Sequence, residues 1–133
     1  MGHWLVIDLE ATTDDGGWPI TDMEVIEIGA SLVNREGREV DHFQRFVRPR
    51  RRPQLTTFCR ELTHISQASV DSAAPFNEVW AQFERWLGEA IEAQVPEPNA
   101  MTVATVGASG PAGAYSQGTS SSEWYHWSQP GRR

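Results

Sequence analysis

The stretch Trp4-Leu5-Val6-Ile7-Asp8-Leu9-Glu10 decides how the rest of the chain is interpreted. An apolar run leads into two carboxylates separated by one residue, which is typical of a buried strand with a polar carboxyl end. Because alternate residues of a strand point to the same face, Asp8 and Glu10 are expected to project together. Two close carboxylates repel each other unless a cation neutralises them, and their oxygens suit Mg²⁺. The alternative is two exposed carboxylates at a strand end, which the three-residue pattern alone would favour.

Two more strands are predicted directly after a loop over residues 11–21. Residues 24–34 are a run of apolar and polar residues that indicates a strand, and Asn34-Arg35-Glu36-Gly37 is typical of a hairpin turn with Gly37 at positive φ. Residues 39–47 return as a third strand. The three strands are expected to form an antiparallel meander.

Helices are predicted in the middle of the chain. Residues 55–62 favour a short helix, Ser66 suits the cap of another, and Pro75 suits the first position of a long one. Apolar residues then recur with helical spacing on one stripe: Phe76, Val79, Trp80, Phe83, Trp86, Leu87 and Ile91. Residues 101–106 are a candidate fourth strand after this crossover helix. The order of elements predicts an α/β fold with a mixed sheet.

Composition divides the chain near residue 92. The 133 residues carry a net charge of −7, and all of it lies in residues 1–92. In residues 93–133, 18 of 41 residues are Gly, Pro, Ser or Thr, which favours an irregular or disordered tail. Cys59 is the only cysteine, which excludes an internal disulfide and favours a reducing compartment, so we expect a cytoplasmic protein. No apolar run approaches a membrane span, and no membrane partner is expected.

Several motifs in order resemble the DEDDh 3′–5′ exonucleases. They are the segments 6–12, Val-Ile-Asp-Leu-Glu-Ala-Thr, and 24–30, Glu-Val-Ile-Glu-Ile-Gly-Ala, followed by 43–49, 55–65 and the helix at Pro75-Phe76. The resemblance covers residues 4–92 and is strongest to the branch of histone-mRNA exonucleases and KapD-like proteins. His64 stands where this family usually has Gly. The family implies a ribonuclease-H-like fold, with residues 1–106 as the N-terminal portion of the exonuclease domain and 107–133 as a tail.

The resemblance also implies a function. It implies hydrolysis of 3′-terminal phosphodiesters of single-stranded nucleic acid, RNA rather than DNA by branch, with two Mg²⁺ or Mn²⁺ ions. Asp8 and Glu10 would be catalytic metal ligands, and Ala11 and Thr12 would hold the terminal nucleotide. A DNA proofreading exonuclease is a further alternative, which Ala11 in place of Thr argues against.

Two expected motifs of the family have no counterpart in this chain. No Asp follows Asp71, and the residue five positions after His126, where the family has its last Asp, is Gly131. We therefore expect the C-terminal part of the domain to be missing and the chain alone to be inactive or very weak. The alternative is a remnant without catalysis or a nucleic-acid-binding module. Oligomeric state is left open.

One basic cluster stands out in an acidic chain. Arg48, Arg50, Arg51 and Arg52 surround Pro49. They could contact phosphates, but charged runs after a strand are usually solvated, and we favour that interpretation.

Overall fold

The computed structural model describes the backbone of residues 2–107 and 117–120. It describes the side chains of residues 2–106. The strands are β1 (Trp4–Ala11), β2 (Val25–Val33), β3 (Glu39–Phe46), β4 (Thr102–Gly107) and β5 (Gln117–Ser120), and the helices are α1 (Thr57–Thr63), α2 (Gln67–Asp71) and α3 (Phe76–Gln94). Short 3₁₀ turns cover Ile20–Asp22 and Pro98–Ala100.

The strands form one mixed sheet in the order β3-β2-β1-β4-β5. The pairs β1–β2 and β2–β3 are antiparallel, which confirms the predicted meander, and Gly37 in the connecting turn has φ 80°. Strand β4 returns parallel to β1 after the helices, as a crossover connection requires. β1 therefore lies at the centre of the sheet, and its carboxyl end carries Asp8 and Glu10.

Helix α3 covers one face of the sheet. Its buried residues Val79, Phe83 and Leu87 pack in the same core as Leu5 and Ile7 of β1. Phe43 of β3 meets Phe83 edge to face, with ring centroids 5.5 Å apart. The helix begins at Phe76, so Pro75 is the cap residue rather than the first helical residue. The predicted apolar stripe is the core face of this helix, although Phe76 itself is 45% exposed.

A second, smaller core lies at the end of the sheet near α1 and α2. Ile26 packs there with Leu55, Cys59 and Val70, and Phe46 lies against them. The Thr56 and Ser66 side chains cap the two helices by accepting hydrogen bonds from the amides of Cys59 and Ser69. The predicted cap at Ser66 is thereby confirmed.

The predicted irregular tail falls mostly outside the described residues. Residues 117–120 are the exception, because they form β5, antiparallel to β4. For these four residues the expectation of an irregular tail is corrected. A bare β4 would expose a row of unpaired backbone groups, and pairing with β5 satisfies them. His126 and Gly131, the positions compared with the last family motif, lie outside the described residues.

No helix in the described part of the chain is both long enough and apolar enough to span a membrane.

Candidate active site

Asp8 and Glu10 lie on the sheet face opposite to α3. The buried residues Leu5 and Ile7 point into the α3 core, so the alternating Val6, Asp8 and Glu10 point away from it. Asp8 is exposed, whereas Glu10 is half-buried. The predicted common projection of the two carboxylates is what the strand produces.

Of the two carboxylates, Glu10 has the less favourable electrostatic environment. It lies directly opposite Glu27 in the β1–β2 register, so a third carboxylate joins the pair. Burial, followed by the charges of Asp8 and Glu27, raises the pKa of Glu10 to about 7. The Oε2 atom of Glu10 is buried and has no hydrogen-bond partner. Desolvation against the sheet also raises the pKa of Asp8, although that residue is exposed.

A shallow depression of about 460 Å³ lies beside Asp8 on this face. Gly29 is opposite Asp8 in the register, and a Cβ at that position would come within 3.9 Å of the Asp8 Cβ. Its absence leaves room next to the carboxylate. Gln44 lies opposite Gly29 on β3 and donates a 2.7 Å hydrogen bond to Glu27 Oε2. The depression therefore lies open to a ligand beside Asp8, and its lining combines polar groups with apolar Val6, Phe43 and Val106.

The segment after β1 is fixed by contacts from two directions. Thr12 is buried, donates its amide to the carbonyl of Glu24 and accepts the amide of Glu24 at its hydroxyl, at 2.8 and 2.9 Å. The carbonyl of Thr13 accepts a 2.6 Å hydrogen bond from the Thr56 hydroxyl, and Cys59 Sγ lies 3.6 Å from the carbonyl of Ala11. The predicted nucleotide contacts of Ala11 and Thr12 remain a prediction. In the structure, hydrogen bonds to Glu24 and Thr56 hold the backbone of this segment.

Glu24 also organises the basic cluster. Its carboxylate accepts the backbone amides of Arg50, Arg51 and Arg52 at 2.8, 2.9 and 3.1 Å. Consecutive amides that converge in this way form an anion-binding concavity. Residues 50–52 are thus connected through Glu24 to Thr12 and the end of β1.

Two of the arginines hold this loop with their side chains. Arg51 donates to the carbonyl of Thr21 at 2.9 Å and lies 3.5 Å from Asp22, and the Arg52 guanidinium stacks 4.3 Å from the Trp18 ring centroid. Arg51 and Arg52 are exposed, as expected of a solvated run. Their side chains also have specific partners because Trp18, Thr21 and Asp22 lie beside them.

The carboxylates fit part of a divalent metal site. A buried, unpartnered carboxylate oxygen with two like charges nearby is a group that a cation would stabilise. In the described part of the chain, however, no group of three or more His, Cys, Asp or Glu side chains is arranged to hold a metal ion. Asp8 and Glu10 would thus provide two ligands and not a complete set.

The exonuclease family profile that carries the name RNase_T matches residues 5–101, most of the chain. The chain belongs to this exonuclease family. The ribonuclease-H-like fold expected from the motifs agrees with solved structures of the same kind.

Curated relatives of this chain include two human enzymes. The 3′-5′ exoribonuclease 1 of Homo sapiens is 40% identical over 83 residues, covering 62% of this chain and 24% of the relative. ERI1 exoribonuclease 2 of Homo sapiens is 38% identical over 86 residues, covering 64% and 12%. The chain therefore spans a quarter or less of the length of these relatives.

Solved structures give the same family. The nuclease domain of 3′hExo, a DEDDh family member bound to rAMP, matches with a TM-score of 0.67 and 32% identity over 77% of this chain and 50% of that one. A 3′-exonuclease described in 3′-end specific recognition of the histone mRNA stem-loop matches with a TM-score of 0.69 and 31% identity, over 80% and 36%.

A relative of another kind also matches. The pyridoxine/pyridoxamine 5′-phosphate oxidase of Burkholderia multivorans is 48% identical over 56 residues, 42% of this chain and 26% of that protein. Since the 86-residue and 56-residue matches together exceed the chain's 133 residues, the two matched stretches overlap. Sequence reasoning did not anticipate this second similarity.

Sequence reasoning also assigned no role to Glu27 or Glu24. A signal for Glu27 was present, since it is a charged residue inside the apolar run Val25-Ile26-Glu27-Ile28. For Glu24 there was no such signal, because its amide partners are 26 to 28 residues away.

Proposed function

We propose that this chain carries the first pair of metal-ligating carboxylates of a 3′–5′ exonuclease that hydrolyses single-stranded 3′ ends, RNA in preference to DNA. The observation that carries the proposal is the pair Asp8 and Glu10, on one open face at the end of the central strand, within an exonuclease-family domain. The oxidase match covers 42% of this chain, whereas the exoribonuclease matches cover 62% and 64% of it and the exonuclease family profile covers residues 5–101, so the proposal follows the exonuclease family.

Asp8 and Glu10 would hold Mg²⁺ or Mn²⁺ through carboxylate oxygens, two ions in the complete family site. Bound there, such ions supply a hydroxide nucleophile and stabilise the charge that develops on the phosphate. The chain's own residues position the ligands. The Oε2 atom of Glu10 is buried and has no competing hydrogen-bond partner, Gly29 leaves room beside Asp8, and the Thr12–Glu24 contacts hold the backbone that follows.

Preference for RNA is supported by the relatives. One is named an exoribonuclease, and another structure concerns recognition of a histone mRNA stem-loop. Those properties belong to those proteins and are extended to this chain only as a proposal.

A second candidate is a module that binds nucleic acid without cleaving it. The observation that favours it is the incomplete ligand set, since the described residues offer no group of three ligands and the sequence has no Asp after Asp71. Weak metal binding and loss of a general base would each lower the rate, the base alone by roughly 10²–10⁴.

The experiment is digestion of a 3′-labelled single-stranded oligonucleotide, RNA and DNA compared, with Mg²⁺ or Mn²⁺ at high protein concentration. The expected result is slow release of the labelled 3′-terminal mononucleotide, and Asp8→Ala should abolish this release. Release that survives Asp8→Ala would overturn the site assignment. Binding without release, by both the wild-type chain and Asp8→Ala, would favour the binding module.

A further inference from the structure

A groove of about 480 Å³ lies away from the carboxylates, between the 48–53 loop and the start of α3. Its lining residues are Arg48, Pro49, Arg50, Pro53, Pro75 and Asn77. None of these residues is acidic, although the chain as a whole carries a net charge of −7. A basic groove on an acidic protein indicates an anionic ligand.

The basic cluster divides into two pairs with different surroundings. Arg51 and Arg52 point to Thr21, Asp22 and Trp18 and hold the loop. Arg48 and Arg50 line the groove instead, and both are exposed. Among the described residues, neither forms an ion pair with a carboxylate, and the Arg48 guanidinium donates to the carbonyl of Ala73 at 3.1 Å.

The backbone of the groove is held in place before any ligand arrives. The amides of Arg50 to Arg52 are bound by Glu24, and the amide of Arg48 donates to the carbonyl of Ala74 at 2.9 Å. Three prolines further restrict the lining. A preorganised site loses less entropy on binding, so two guanidinium groups here contribute more than two on a mobile loop.

The position of the groove relates it to the carboxylates. Glu10, Glu27 and Phe46 lie opposite one another on β1, β2 and β3. With strands about 4.8 Å apart, Glu10 and Phe46 are separated by roughly 10 Å, and Arg48 follows Phe46 by two residues. At about 3.4 Å per nucleotide of a stacked strand, this lateral separation alone corresponds to roughly three nucleotides, which is the smallest number that could connect Glu10 to the groove.

We propose that Arg48 and Arg50 form an accessory site for the phosphate backbone of the single-stranded nucleic acid whose 3′ end lies at Asp8 and Glu10. Guanidinium groups bind phosphate oxygens in a bidentate fork, and backbone contacts of this kind position a strand without reading its sequence. The inference rests on the proposed function for the identity of the polymer. An acidic peptide is the other polymer with suitable charge, and the test separates the two.

The test is fluorescence anisotropy of a 5′-labelled single-stranded RNA of about ten nucleotides, in EDTA and over a range of salt concentrations. Arg48→Ala/Arg50→Ala is compared with Arg38→Ala/Arg85→Ala, which removes the same charge from exposed arginines on the hairpin and on α3. The groove pair is expected to weaken binding roughly tenfold at low salt. It should also reduce the slope of log K against log salt by about 1.4, or 0.7 for each phosphate that is no longer neutralised.

One further variant keeps the outcome interpretable. Arg50→Ala alone leaves the Arg48–Ala73 contact intact, so loss of that contact cannot account for its effect on binding. Because the binding is measured in EDTA, without divalent cations, this test is separate from the metal-site test. An equal weakening in the control pair, no binding by the wild-type chain, or displacement of the RNA by poly-glutamate as effectively as by unlabelled RNA would overturn the proposal.

Discussion

Glu10 and Glu27 face each other across β1 and β2, so two carboxylates occupy one register position of an antiparallel pair. Like charges directly opposite each other destabilise a sheet. Both carboxylates lie on the open face of the sheet, where Asp8 adds a third negative charge nearby. The destabilisation is concentrated where a divalent cation would relieve it, and its consequences can be measured without one.

Stability should depend on pH through Glu10. Its pKa rises from 4.5 to about 7 on folding. The folded state therefore binds the proton more tightly, and the stabilisation present below pH 4.5 is lost as pH rises toward 7. In EDTA, Glu10→Gln should unfold in urea with a free energy about 1 kcal/mol above the wild-type chain at pH 8, and equal to it at pH 4. The gain stays below the full linkage value because the carboxyl is partly exposed.

The control for this measurement is Glu89→Gln, a substitution on the exposed side of α3. It should leave the difference between pH 4 and pH 8 unchanged. A Glu10→Gln protein with the wild-type pH dependence would show that Glu10 is not the group responsible.

Removing the charge of Glu27 should lower the pKa of Glu10. In Glu27→Gln, one of the two charges that raise that pKa is gone, while burial, the largest cause, remains. An NMR titration of the Glu10 carboxyl carbon should therefore give a pKa between the ordinary value and about 7. Asp8→Asn should shift it in the same direction. If neither substitution lowers the pKa of Glu10, the three carboxylates do not share one electrostatic site.

Glu24 should stabilise the 50–52 loop. Its carboxylate binds three consecutive amides. Glu24→Ala leaves these donors without their acceptor, and a loss of about 1–2 kcal/mol is expected, since hydrogen bonds to charged groups are stronger than neutral ones. Amide hydrogen exchange of Arg50, Arg51 and Arg52 should accelerate together. Glu24→Gln keeps one acceptor oxygen, so its exchange rates should lie between those of the wild-type chain and Glu24→Ala. Glu36→Ala, on the exposed hairpin, should leave the exchange of these amides unchanged.

Replacing His64 with glycine should stabilise the folded protein. It ends α1 with φ 60°, the one non-glycine residue of the described chain with positive φ. A side chain in this conformation costs about 1–2 kcal/mol, part of which is offset by the greater unfolded-state freedom of glycine. His64→Gly should therefore raise the free energy of unfolding by about 0.5–1 kcal/mol. His64→Ala retains a Cβ and should give no such gain, and a gain equal to that of glycine would refute the conformational explanation.

Much of the fold could be predicted because its signals are local. The alternation in β2, the turn at Gly37, the cap at Ser66 and the stripe of α3 each depend on residues within one element. The strand order follows from the meander and one crossover. Strand β5 could not be predicted, because its sequence, Gln117–Ser120, has no strand periodicity and depends on the open edge of β4.

The candidate site was predictable only in part, for a physical reason. Asp8 and Glu10 are two residues apart on one strand, so their common face follows from the sequence. Glu27 and Glu24 act through register and through long-range hydrogen bonds, which no local pattern reveals. The fixed part of the basic cluster was missed for the same reason, since Trp18 and Arg52 are distant in sequence and stack only in the fold.

The exonuclease motifs in the sequence end near residue 92, whereas the family profile extends to residue 101. Composition indicated the boundary near residue 92, but composition alone did not indicate the similarity to an oxidase over 56 residues. The nature of residues 107–133 stays a prediction, since only 107 and 117–120 among them are described.

The most direct test of the central claim, that Asp8 and Glu10 form the metal-binding end of the site, is paramagnetic broadening by Mn²⁺. Small additions of Mn²⁺ to ¹⁵N-labelled protein at neutral pH should broaden the amide signals of residues 8–11 and 27–29 first. Asp8→Asn/Glu10→Gln should remove this broadening while leaving the spectrum of the core unchanged. Broadening centred on another acidic segment, such as Asp14-Asp15, or broadening of residues 8–11 that persists in the double variant, would contradict the claim.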